Sequence, residues 1–227
     1  MDVARMLLTD AEALSQYDIP EPVLDVFYRS TVKHVSIIGR RGVLDAAFGI
    51  KELREMINLP EASLEPLDPS LLTSPQQTSI RRKLKIPDLL QKGSKNPFGT
   101  ISKTWSFDFL RSPIGLVLPT KNSSSQLSLS HTTLDPETSR AVPTEETSTL
   151  PTDLVITSLG FHHGEPRIPF YDRELGHLGN VSGRITHQDG TILKKVYSSG
   201  WAGTGAKGVL VLTLRNAYQV ADTIIRD

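Results

Sequence analysis

Arg40 and Arg41 stand at the end of a β-rich run, Val32 to Ile38 (VKHVSII), inside the turn Gly39-Arg40-Arg41-Gly42. In an open α/β sheet, ligands sit beyond the carboxyl ends of the strands. An acid after the second strand of a dinucleotide fold hydrogen-bonds a ribose 2′-hydroxyl, whereas arginines there accommodate a 2′-phosphate by bidentate pairing. Two arginines and no acid point to NADP over NAD. A solvated basic turn is the other reading of an isolated RRG.

The second candidate is the glycine segment from Gly200 to Gly208, which contains Trp201, Gly203 and Gly205 and lies between a strand and a helix. Glycines let a ligand approach the backbone, and a helix N-terminus offers N–H donors and partial positive charge. Gly203, Gly205 and Gly208 satisfy G-x-G-x-x-G, but late in the chain and without the acid that a dinucleotide half places about 20 residues on. A structural turn is the alternative. Trp201 favours a flat aromatic ligand, since an indole beside a glycine loop can stack on one.

Other constellations carry less. His162 and His163 are adjacent, so in a strand they would face opposite ways and could not chelate one ion. Ser124 and Ser198 lack a nucleophile elbow, which argues against a hydrolase triad. The cluster Arg81-Arg82-Lys83-Leu84-Lys85 is either a solvated turn or a docking patch for an acidic partner.

These residues need elements to position them. A chain of 227 residues can bury a core without staples. It has 25 Lys+Arg against 25 Asp+Glu, and this neutrality argues against a nucleic-acid binder held by phosphate contacts. With no Cys, a disulfide framework, a thiolate metal site, a Cys nucleophile and a redox CxxC are all excluded. No apolar run approaches the ~18 residues of a spanning helix, and no targeting segment is visible at the start.

The spacing of Val3, Met6, Leu7, Ala11 and Leu14 predicts one amphipathic helix over 3–14, and a second short helix follows Pro22 with Val23, Val26 and Phe27 inward. After the strand ending at Ile38 comes a helical stretch, 45–58. Helix, strand, basic turn, helix is the rhythm of a parallel α/β unit lacking its first strand. Residues 60–100 are Pro-, Ser- and Lys-rich, with one short helix near 86–91. WSFDFL (105–110) and 114–118 read as a hairpin or meander. Residues 119–152 read as edge strands joined by long mobile loops, and DLVITSL (153–159) as a buried strand. A short strand at 196–198 leads into the glycine segment, and 208–225 is helical.

Taken together, DVARMLLT, VSIIGRRG, IKELREMINLP, RRKL, FLRSP, SRAVPT, LVITSLGF and SGWAGTGAKGV resemble, in order and over nearly the whole chain, the mitochondrial NADPH:adrenodoxin (ferredoxin) reductase family. The match is weakest in 61–100 and 119–139. The resemblance implies an α/β, partial two-dinucleotide-binding-domain flavoprotein fold, with an NADP-domain remnant over 1–160 and a C-terminal part of the FAD domain over 161–227. It implies FAD and NADP as cofactors and electron transfer from NADPH through FAD to a [2Fe–2S] ferredoxin, on the matrix side of the mitochondrial inner membrane.

Residue by residue, Arg40 and Arg41 match the pair that binds the 2′-phosphate, and Glu52 a glutamate of the NADP site. Trp201 and the Gly208-Val209-Leu210 backbone match the segment closing over FAD, with Gly208 also touching NADP. Arg81, Arg82 and Lys83, with Arg54, resemble the basic surface that docks the ferredoxin. The chain starts at DVAR, where the family's second Gly-rich loop has already ended. The expectation is therefore a C-terminal fragment lacking the N-terminal FAD half. The alternative to an enzyme is an inactive fragment keeping only the partner-docking and 2′-phosphate surfaces.

Overall fold

A computed structural model describes residues 1–72, 81–118, 124–138, 140–160, 168–206, 208 and 210–227, the side chains of 81–84 excepted. His162, His163 and Val209 lie outside the described residues. The chain divides into two units, Met1–Ile156 and Thr157–Asp227.

The first unit opens with α1 (Asp2–Leu8) and α2 (Ala11–Leu14). The single helix expected over 3–14 is thus two. Asp10 breaks it, because its carboxylate accepts from the Glu12 N–H as an N-cap and its own backbone is extended. Helix α3 (Glu21–Tyr28) forms where expected, but Val23 and Val26 are exposed and the helix buries no residue. Strand β1 (His34–Gly39) carries the arginine turn at its end. The helix expected over 45–58 is shorter, α4 (Ile50–Ile57), because a 3-10 turn at Val43–Asp45 precedes it.

Strand β2 (Ala62–Leu64), α5 (Arg81–Lys92) and β3 (Lys103–Phe109) follow. The three strands make a parallel sheet in the order β1-β3-β2, with Val35 beside Trp105 and Leu64 beside Trp105. Alternation assigns its two faces. Val35, Ile37, Leu64, Trp105, Phe107 and Phe109 pack with Leu8, Leu53, Met56, Ile57, Ile86 and Leu90 from α1, α4 and α5. Phe107 stacks between Phe48 (centroids 5.0 Å) and Phe109 (4.8 Å). The opposite face is largely polar, with Ile38 its apolar residue on β1. His34 Nδ1 lies 2.7 Å from Thr104 Oγ1, and its Nε2 lies 3.1 Å from Ser36 Oγ and 3.2 Å from Ser106 Oγ.

Strands β4 (Arg111–Val117), β5 (Ser125–Leu134) and β6 (Ala141–Thr152) form a separate antiparallel sheet. This corrects two expectations. The strands on either side of Leu110 are not a hairpin, since β3 pairs in the parallel sheet and β4 with β5. The strands expected in the Ser/Thr-rich tract are present, but they are long and directly paired, filling most of the tract where long loops were expected, with Leu127 and Leu129 buried. The run 153–159 is not a buried strand either. It has no ladder partner among the described residues, and Leu159 is 92% exposed.

The second unit has short strands β7 (Tyr171–Asp172), β8 (His177–Leu178), β9 (Asn180–Val181), β10 (Arg184–Thr186) and β11 (Ile192–Tyr197), then α6 (Trp201–Thr204) and α7 (Leu210–Arg226). The last strand and the final helix lie close to where the sequence places them. Among the described residues no helix is long and apolar enough to cross a membrane.

Candidate functional site

The arginine turn sits at the carboxyl end of β1. Both side chains are exposed, and neither guanidinium reaches a carboxylate among the described residues. Two adjacent cations with no counter-charge among the described residues suit an anion, and a planar guanidinium matches phosphate geometry. The residues present therefore fit the 2′-phosphate of NADP.

The turn is held from the antiparallel sheet. Thr132 of β5, a buried residue, donates its hydroxyl to the Arg40 carbonyl at 2.7 Å. The Leu110 N–H donates to the Arg41 carbonyl at 3.4 Å, and the Leu110 carbonyl accepts the Thr132 N–H at 3.0 Å. The same carbonyl accepts Arg111 NH1 at 3.0 Å. Leu110 adopts a left-handed φ of 55°, a conformation that costs about 1–3 kcal/mol unless its surroundings enforce it. Sequence reasoning missed Thr132 and Leu110, because a single Thr in a Ser/Thr-rich strand has no distinguishing spacing. Arg111 lies in FLRSP, a segment seen only as part of the family resemblance.

Glu52 sits in the first turn of α4, and its carboxylate accepts from the Gly49 N–H. An acid there satisfies an orphan donor and complements the helix dipole. Arg54 is exposed on the same helix. Residues 81–83 form the first turn of α5, so the basic cluster is helical rather than a turn.

In the second unit, Trp201 begins α6 and is 47% exposed, while Leu210 begins α7 and is 82% exposed. Side chains from elsewhere in the unit hold the glycine segment. Asn216 Oδ1 accepts the Gly200 N–H at 2.8 Å, and Asn180 Nδ2 donates to the Gly203 carbonyl at 2.7 Å. Gly208 has φ +86°, and a Cβ there would lie 2.9 Å from Leu212 Cδ1. The left-handed backbone at 208 therefore favours glycine, while the tip of Leu212 could move aside. An exposed indole and a bare backbone at two helix starts fit one end of a flat aromatic ring system such as a flavin. Among the described residues no cluster of side chains could hold a metal ion.

A parallel sheet backed by helices, ending in paired arginines and joined to a three-stranded antiparallel sheet, defines an α/β oxidoreductase fold of the two-dinucleotide-binding-domain flavoprotein class. Two solved structures of an oxidoreductase support this. The chain matches Mycobacterium tuberculosis FprA in complex with NADPH with TM-score 0.83 and 29% identity, over 99% of this chain and 49% of that one. A second FprA structure, described as showing a covalent modification of NADP+, matches with TM-score 0.82 and 30% identity.

No family model matches the chain. Curated relatives align along its whole length. The human mitochondrial NADPH:adrenodoxin oxidoreductase is 36% identical over 100% of this chain and 48% of its own. The Drosophila melanogaster protein of that name is 37% identical with the same coverage, and a probable one from Saccharomyces cerevisiae is 28% identical. The chain belongs to the NADPH:adrenodoxin oxidoreductase family, and it spans about half the length of the curated relatives it matches.

Proposed function

We propose that this chain is part of a flavoprotein that takes electrons from NADPH and passes them through FAD to a [2Fe–2S] ferredoxin of the adrenodoxin type, in mitochondria. In this reading residues 1–160 bind NADP and residues 161–227 contribute to FAD binding. The pair of exposed arginines at the end of β1, with no carboxylate partner among the described residues, carries the reading. Arg40 and Arg41 hold the 2′-phosphate. Glu52 belongs to the same nucleotide site, acting by fixing the start of α4. Trp201 and the Gly208-Val209-Leu210 backbone cover the flavin. Arg54, Arg81, Arg82 and Lys83 offer the ferredoxin a basic surface.

Bound FAD would accept a hydride from NADPH and release electrons one at a time, the conversion a one-electron acceptor requires. The chain's own residues then bind, orient and exclude water, and no side chain needs to act as a general base. Paired arginines select the phosphorylated nucleotide, because hydrogen bonds to charged groups contribute about 1.5–3 kcal/mol each.

The experiment compares NADPH and NADH binding to the wild-type chain and to Arg40→Ala/Arg41→Ala. Loss of NADPH affinity of roughly tenfold or more, with NADH nearly unchanged, supports the reading. Equal losses for both nucleotides would sink it. An inactive module retaining only its docking and 2′-phosphate surfaces would pass this test yet hold no flavin absorbance near ~450 nm.

A further inference from the structure

We propose that Thr132 is the positioning residue of the arginine turn, and that it sets how strongly the chain prefers a 2′-phosphorylated nucleotide. The inference rests on the 2′-phosphate reading of Arg40 and Arg41 and assigns a role to a residue in a different sheet. Thr132 makes two bonds at this corner. Its hydroxyl holds the Arg40 carbonyl at 2.7 Å, and its N–H holds the Leu110 carbonyl at 3.0 Å. Leu110 in turn donates to the Arg41 carbonyl at 3.4 Å. Each arginine therefore has its backbone carbonyl tied to the antiparallel sheet, one directly and one through Leu110.

Neither guanidinium has a carboxylate among the described residues to hold it. The direction in which each side chain leaves the turn is then set by the backbone, and the backbone by this brace. Bidentate recognition of a phosphate depends on the angle of approach more than a point charge does. A residue that fixes the peptide planes at 40 and 41 consequently acts on affinity for the phosphate, and much less on groups elsewhere in the nucleotide. Two further features show that the corner is over-determined. Leu110 is held at φ +55°, and Arg111 NH1 donates to the carbonyl that Thr132 also uses. Such a conformation persists only where surrounding bonds enforce it.

The test uses Thr132→Val, which keeps the shape and removes the hydroxyl, and Thr132→Ser, which keeps the hydroxyl. Binding of 2′,5′-ADP and of 5′-AMP to the whole chain is measured by calorimetry, and exchange of the backbone amides over 39–42 by mass spectrometry. The expected result for Thr132→Val is roughly five- to tenfold weaker 2′,5′-ADP binding, little change for 5′-AMP, and faster exchange over 39–42. Thr132→Ser restores both readouts. Equal weakening of the two nucleotides, or unchanged 2′,5′-ADP binding, overturns the positioning role. Arg40→Ala/Arg41→Ala separates the two levels. If that variant keeps its preference for 2′,5′-ADP, or the wild-type chain shows none, the 2′-phosphate reading fails and the inference with it. If it loses the preference while Thr132→Val keeps it, only the inference fails.

Discussion

Arg184 grips Asp227 with two parallel bonds, Nε to Oδ2 at 2.8 Å and NH2 to Oδ1 at 2.6 Å, and Tyr197 adds its hydroxyl to Oδ2 at 2.9 Å. A carboxylate after the last turn of α7 opposes the negative end of the helix dipole, and the guanidinium from β10 offsets that repulsion. The contact fastens α7 to β10 and β11.

The pH dependence of this clasp follows from its partners. The Arg184 bonds, then the Tyr197 hydroxyl, hold the Asp227 carboxyl below its ordinary value of 3.8. A depressed acid stabilises the fold above its unfolded value, and that contribution is lost as pH falls through the folded value. Tyr197 is raised from 10.0, chiefly by its bond to Asp227, so its contribution is present below 10 and fades at higher pH. Thermal unfolding of wild type and Asp227→Asn should differ at neutral pH, begin to converge as pH falls past 3.8, and coincide only below the depressed folded value. A gap that persists in strong acid would mean that the side chain stabilises by packing rather than charge.

Gly183 allows a second test in the same unit. It has φ +87°, and a Cβ there would fall 2.6 Å from Val220 Cγ2 on α7. Gly183→Ala should destabilise through both overlap and strain, by about 1–3 kcal/mol. Adding Val220→Ala removes the clash with the two Val220 methyl groups but leaves the close Cβ contact at 3.2 Å and the strain, so in a double-mutant cycle by denaturant titration the two substitutions together should cost less than the sum of their separate costs.

In the first unit, Leu53 is fully buried under the parallel sheet, whereas Lys51 on the same helix is exposed. Leu53→Ala should cost about 2–5 kcal/mol. Lys51→Ala should stay within ~0.5 kcal/mol. Equal effects in chemical unfolding would mean that α4 does not pack as described.

Ferredoxin docking is tested by charge. Reversal at Arg81, Arg82 and Lys83 in the flavin-loaded protein should slow ferredoxin reduction and flatten its salt dependence, since steering between opposite charges weakens as salt rises. Reduction of ferricyanide by NADPH should be spared. A parallel loss with both acceptors would place these residues in folding or flavin binding instead.

Much of the candidate site was legible because its chemistry is local. Paired arginines after a β-rich run, and glycines between a strand and a helix, are sequence-adjacent patterns. What joins them to the rest of the fold is not. Trp105, Phe107 and Phe109 alternate with Thr104, Ser106 and Asp108, which marks a strand with one apolar face, but alternation does not name the neighbouring strand. Only three residues separate the runs 105–110 and 114–118, so a hairpin or meander was the natural reading. Instead the chain changes sheets at Leu110. Strand β2 is three residues long in a Pro-rich tract, too short to show a period. In β5 and β6 the sequence showed edge strands but not their length, because Ser and Thr serve loops and ladders equally well. The run 153–159 misled for the converse reason, since contiguous apolar residues do not specify a pairing partner.

The two faces of the parallel sheet differ in how they should respond to stress. The face of Trp105, Phe107 and Phe109 is held by excluded water, an attraction that weakens on cooling. The face of His34, Ser36, Thr104 and Ser106 carries a set of directed bonds centred on the His34 ring, with Ile38 as its one apolar residue on β1. Cold therefore loosens the helix-covered side first, while solutes that compete for hydrogen bonds act on both. A single sheet thus contains two separately addressable weaknesses, and the strand bearing the arginine turn belongs to both.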